Sequence, residues 1–121
     1  MFSFLDSDTV SIFLKIAKKE IENGNVYFVG YRTVESNGKI INAKQALLDI
    51  GISNKKEIWS YVKNLETSDC FRISRDRDYK RDFNSEMFEF KEIINKKVVY
   101  IKLTINSRGL LCLSFHLDNE R

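Results

Sequence analysis

Apolar residues recur at helical spacing early in the chain and alternate with polar ones late in it. From residue 8 to 22, Val10, Phe13, Leu14, Ile16, Ala17 and Ile21 form a stripe opposite Lys15, Lys18, Lys19 and Glu22, which predicts a helix. Asp8 suits the N-cap, and Gly24 is placed to stop the helix. Val26 to Tyr31 is short and β-rich and reads as a strand. The polar segment 32–41 follows, with the turn signal Asn37-Gly38. Two short helices come next. Asn42 caps the first, Ala43, Ala46, Leu47 and Ile50 form its apolar side, and Gly51 ends it. Ser53 or Asn54 caps the second, and Asn54 with Glu57 has the spacing of a capping box. Its apolar face is Ile58, Tyr61, Val62 and Leu65, with Trp59 beside them.

The second half switches to a period of two. Strands are predicted at about 69–74, 86–94, 97–106 and 109–116. Asn95-Lys96 and Ser107-Arg108-Gly109 are turn-like, so the last three strands should form an antiparallel meander. Alternation assigns Phe71, Ile73, Phe88, Phe90, Val99, Ile101, Leu103, Ile105, Leu111, Leu113 and Phe115 to the core. It turns Arg72, Ser74, Glu89, Lys91, Tyr100, Lys102, Thr104, Cys112, Ser114 and His116 outward. The expected fold class is α+β: three N-terminal helices with a short strand, then a mainly antiparallel sheet ending in a three-stranded meander.

Composition narrows the picture. The 121 residues fit one domain spanning 1–121, and there is no proline, repeat or low-complexity run to mark a linker. A hydrophobic fraction of 43% is enough for one packed core. Lys and Arg number 20 against 17 acids, a +3 excess too small to mark a nucleic-acid binder by itself. Two cysteines without a C-x-x-C pair and a single histidine do not make a zinc site, so no metal and no cofactor are expected. Cys70 and Cys112 read as reduced thiols, with a single disulfide as the alternative. Asp6 and Asp8 interrupt the apolar start, and no run approaches a membrane span. The expectation is a cytoplasmic protein with no membrane contact.

The outward strand residues gather Arg72, Glu89, Tyr100, Lys102 and His116 on one sheet face. Cutting RNA needs such a set: a base for the ribose 2′-hydroxyl, a cation for the charge growing on phosphorus, and an acid for the departing 5′-oxygen. The plainer reading is that half-exposed sheets carry polar faces anyway, with Glu89 and Lys91 as ordinary cross-strand partners. Between the first two of these strands, Arg75, Arg77, Lys80 and Arg81 continue from Arg72 as the densest basic stretch. Asp76, Asp78 and Asp82 interleave with it, while Tyr79 and Phe83 add stacking groups. That loop reads equally as an RNA contact and as a solvated, self-paired hairpin.

At Leu65 to Arg72 (Leu-Glu-Thr-Ser-Asp-Cys-Phe-Arg), Tyr100-Ile-Lys-Leu-Thr-Ile and Leu113-Ser-Phe-His, the sequence resembles the MqsR (motility quorum-sensing regulator) toxin family. Ala46-Leu47 and Leu48-Asp49-Ile50-Gly51-Ile52 look like that family's A-L-x-x-L-G-L stretch, and the likeness runs from about residue 12 to 117. The resemblance implies a RelE-like fold and cleavage of single-stranded messenger RNA without the ribosome or a metal, with silencing by a cognate antitoxin. It places the catalytic positions on Arg72, Glu89, Tyr100 and His116, where the type member has Lys, Gln, Tyr and Lys. The resulting assignment gives base and acid to Glu89 and His116 in either order, phosphate to Arg72 and Lys102, and orientation to Tyr100. Further RNA contacts are expected from Lys91, Arg75, Arg77, Lys80 and Arg81. The segment 32–41 departs from the type member, whose strand runs almost directly into the next helix.

Three readings follow. The first is an endoribonuclease toxin whose partners are single-stranded RNA and an antitoxin. The second is a regulator or inhibitor on the same fold, such as a mobile-element protein acting on the guide RNA or protein of an RNA-guided nuclease. The third is a plain interaction domain with no RNA affinity.

Overall fold

A computed structural model describes residues 6–29, 34–36, 39–75 and 86–118. The chain runs through helix α1 (Ser7–Asn23), strands β1 (Val26–Phe28), β2 (Val34–Ser36) and β3 (Lys39–Ile41), then helices α2 (Ala43–Ile50) and α3 (Ile58–Lys63). Strands β4 (Cys70–Arg75), β5 (Glu86–Ile94), β6 (Lys97–Asn106) and β7 (Gly109–Leu117) complete it. The fold is α+β, and the described residues form three α-helices and a five-stranded mixed sheet in the order β1-β7-β6-β5-β4. Strands β4 to β7 form an antiparallel meander, while β1 lies parallel to β7 at the edge. The hairpin β2–β3 stands apart from this sheet and falls in the segment read as polar with a turn signal.

Local chemistry explains the helix ends. The side chain of Asp6, not Asp8, caps α1, accepting from the Asp8 N–H and the Thr9 hydroxyl, which starts the helix one residue early. Gly24 takes the left-handed conformation that closes it. Asn42 accepts from the Gln45 N–H at 2.8 Å and caps α2. Asn54 caps a single 3-10 turn that leads into α3, and the bond it accepts comes from Lys56.

Val10, Phe13, Leu14 and Ala17 of α1, Leu47 and Ile50 of α2, and Ile58 and Val62 of α3 share one hydrophobic cluster with Phe88, Phe90, Val99, Ile101 and Leu103 of the sheet. The Phe13 ring stacks on Phe88 at 3.9 Å. The β5–β6 turn ties this layer down. Asn95 and Lys96 both hold positive φ, the backbone of a tight hairpin turn. Asn95 Nδ2 donates to the Ile50 carbonyl and Lys97 Nζ to that of Asp49, satisfying the last turn of α2.

Two irregularities break the expected alternation. In β7, Ser114 pairs with Lys102 and Cys112 with Leu103, so Leu113 is an extra residue. Before it, the buried residues are Leu110 and Cys112, not Leu111; after it, Phe115 returns to the core and His116 to the opposite face. Leu111 and Leu113 are only partly buried, and Cys112 is fully enclosed, a correction to the sequence assignment. In β4, Cys70 pairs with Phe90 and Arg72 with Glu89, leaving Phe71 as the extra residue. Phe71 therefore leaves the core, and Cys70 takes the buried position. Thr104, expected outward, is also buried and donates to the Glu86 carbonyl. Both cysteines are free and buried, and burial pushes their thiols up. Among the described residues, no helix is long and apolar enough to cross a membrane.

Candidate functional site

The helices cover one face of the meander, and the candidate site lies on the other. Strand register sets its layout. One cross-strand row runs Arg72 (β4), Glu89 (β5), Lys102 (β6), Ser114 (β7). The next runs Lys91 (β5), Tyr100 (β6), His116 (β7). All four candidate catalytic residues, together with Lys91 and Lys102, thus fall in two adjacent rows. Arg75 ends β4 opposite Glu86, and its side chain lies outside the described residues, as do Arg77, Lys80 and Arg81.

Glu89 is the centre. Its side chain is only 2% exposed, so an expected outward carboxylate is instead enclosed by its partners. Arg72 donates to it twice, Nε to Oε2 at 2.9 Å and Nη2 to Oε1 at 2.7 Å. Ser74 Oγ donates to Oε2 at 2.8 Å, and the Tyr100 hydroxyl donates to Oε1. Burial alone pushes this carboxyl up. The hydrogen bonds from Arg72, Tyr100 and Ser74, with the Arg72 charge, outweigh burial and hold it down at about 2. Glu89 is therefore an anion at neutral pH whose lone pairs are occupied. Such a group is a weak base and no acid, and its chemistry here is to position others.

What it positions is clear from the same bonds. The hydrogen bonds and charge of Glu89 push the Arg72 guanidinium well above its ordinary value. A guanidinium carries five N–H donors and Glu89 takes two. The Arg72 side chain is 58% exposed, so its remaining edge is open to an anion such as phosphate. Burial, then the bond to Glu89, pushes the Tyr100 phenol up, so it keeps its proton and serves as a fixed donor.

The His116 ring sits 5.2 Å from the Tyr100 ring, and its Nδ1 lies 2.8 Å from the Leu117 carbonyl. A carbonyl oxygen only accepts, so this contact selects the tautomer with hydrogen on Nδ1 and leaves Nε2 as the basic nitrogen. Lys102 makes no ion pair among the described residues. Lys91 pairs with Asp118 at 3.1 Å and lies 4.8 Å over the Phe71 ring.

Two further residues belong to this face. Ser74, outward by alternation, joins the site through its bond to Glu89, and its spacing of two from Arg72 in one strand is the signal in the sequence. Phe71 reaches this face only through the β4 bulge, and its ring lies 6.0 Å from Tyr100 and 5.6 Å from the Arg72 guanidinium. Among the described residues, no group of three or more His, Cys, Asp or Glu side chains is placed to hold a metal ion.

The arrangement can bind an anion at Arg72, accept a proton at His116 and present a fixed phenol between them. No protein-family model matches the chain, and no curated protein gives a significant match.

Proposed function

We propose that this protein is a metal-independent, ribosome-independent endoribonuclease with a RelE/MqsR-like fold, acting in the cytoplasm as the toxin of a toxin–antitoxin pair. The observation that carries the reading is the connected group Arg72–Glu89–Tyr100–His116, in which a buried anion holds a cation and a phenol beside a histidine whose Nε2 has no hydrogen-bond partner among the described residues. His116 Nε2 takes the proton of a ribose 2′-hydroxyl. The 2′-oxygen forms its bond to phosphorus while the bond to the 5′-oxygen breaks, giving a 2′,3′-cyclic phosphate and a 5′-hydroxyl. Arg72 and Lys102 neutralise the phosphorane, and the departing oxygen takes its proton from the Lys102 ammonium or solvent. Glu89 moves no proton in this scheme; it keeps Arg72 and Tyr100 in place.

The test is incubation of the purified protein with labelled single-stranded RNA in excess EDTA, beside His116→Ala. Discrete cuts ending in cyclic phosphate, lost in the variant, are expected. A second reading, RNA binding without cleavage, is favoured by the full occupation of Glu89, which takes the site's carboxylate out of proton transfer. Salt-sensitive RNA binding with no cuts by either protein would select that reading and sink the nuclease.

A further inference from the structure

Phe71 is an unusual residue to find on a polar sheet face. The bulge in β4 turns it away from the core that takes Cys70 and sets it among cations and aromatics. Its ring lies 6.0 Å from Tyr100, which in turn lies 5.2 Å from His116, so three rings cross the sheet from β4 to β7. The Arg72 guanidinium is 5.6 Å from the Phe71 ring and the Lys91 ammonium 4.8 Å from it. An aromatic platform flanked by cations is the usual means of holding unpaired bases: the ring takes the base and the cations take the phosphates on either side.

We propose that Phe71 is the base-stacking residue of this site, and that it selects single-stranded RNA by accepting one unstacked base next to the phosphate held by Arg72. The inference rests on the RNA reading above. Arg72, fixed by Glu89, holds the phosphate on one side of the base. Lys91, whose side chain is 36% exposed, exchanges the ring face for the phosphate on the other side as the base arrives. A paired base in a duplex cannot reach the ring without leaving its stack, so a helix is excluded by geometry rather than by charge.

The experiment uses the full chain and a short single-stranded RNA whose 2′-hydroxyls are methylated to block cleavage, with 2-aminopurine placed at successive positions. Binding by the parent should quench 2-aminopurine at one position above all others. Phe71→Leu, which keeps an apolar side chain of similar reach, should lose that quench and weaken binding roughly tenfold or more, while Phe71→Trp restores both. The matching duplex should bind weakly and respond little to either change. If the parent binds and cuts RNA but Phe71→Leu keeps both the quench and the affinity, the stacking role falls and the nuclease reading stands. If the parent neither binds nor cuts single-stranded RNA, both fall together.

Discussion

Replacing Glu89 by Gln removes one charge and keeps the shape, so its effect isolates the electrostatics of the buried carboxylate. Glu89 has an ordinary value of 4.5 and is held at about 2 in the fold. Because the folded value is depressed, the group stabilises the fold fully above about 4.5, and that stabilisation is lost as pH falls from there through about 2. The difference corresponds to about 3 kcal/mol at neutral pH. Screening at the Arg72 end, 58% exposed, makes that an upper value. Urea denaturation of parent and variant across this acid range and at neutral pH measures the effect. The parent should lose stability steadily from pH 4.5 towards 2, while Glu89→Gln, already weaker by up to about 3 kcal/mol at neutral pH, should lose correspondingly less over that range. Equal stability at neutral pH, with the same acid slope in both proteins, would refute the idea that this carboxylate is held ionised by its three partners.

The remaining predictions probe the site and its frame. His116→Ala should lower RNA cleavage by roughly a hundredfold or more while leaving RNA affinity within about twofold, measured by single-turnover cleavage and fluorescence anisotropy. Gly109 has φ +132, and a Cβ there would stand 2.3 Å from the Asn25 carbonyl oxygen, so Gly109→Ala should cost about 3 kcal/mol or more in chemical denaturation. Asn42→Ala removes the cap bond to Gln45 and should cost about 1 kcal/mol by the same measurement. Lys96 is exposed with φ 68 in the β5–β6 turn, so Lys96→Gly should raise the melting temperature, with a gain of about 1 kcal/mol.

Features decided within a few residues were legible in the sequence. Asn42, Gly24 and Gly51 mark helix boundaries in the sequence because a cap and a left-handed stop need only their own neighbours. The bounds of β5 and β6 came out residue for residue, because alternation and the Asn95-Lys96 turn agree there. The cap of α1 shifted because Asp6 and Asp8 both stand at the start, and only Asp6 has a backbone N–H and the Thr9 hydroxyl within reach. The parallel pairing of β1 with β7 joins residues some eighty positions apart, and a three-residue strand carries no mark of its partner.

The site shows the same division between local and distant causes. Alternation put Arg72, Glu89, Tyr100 and His116 on one face, and the structure places them there. Alternation fails at a bulge, because one inserted residue reverses the parity of everything beyond it. The β7 bulge at Leu113 explains how Cys112 and Phe115 can both be core while His116 still faces the site. The β4 bulge at Phe71 explains how Cys70 is buried while Phe71 and Arg72, neighbours in sequence, both serve the opposite face. Burial of Glu89 follows from that second bulge, since the register it sets brings Arg72 opposite Glu89, with Ser74 beside it. A carboxylate that sequence presents as a candidate base becomes, once those partners close on it, the anchor for the cation and the phenol. The residue types mark these positions as anionic, cationic and aromatic. Hydrogen bonds between strands occupy the Glu89 carboxylate, and so the proposed scheme gives the proton transfer to His116.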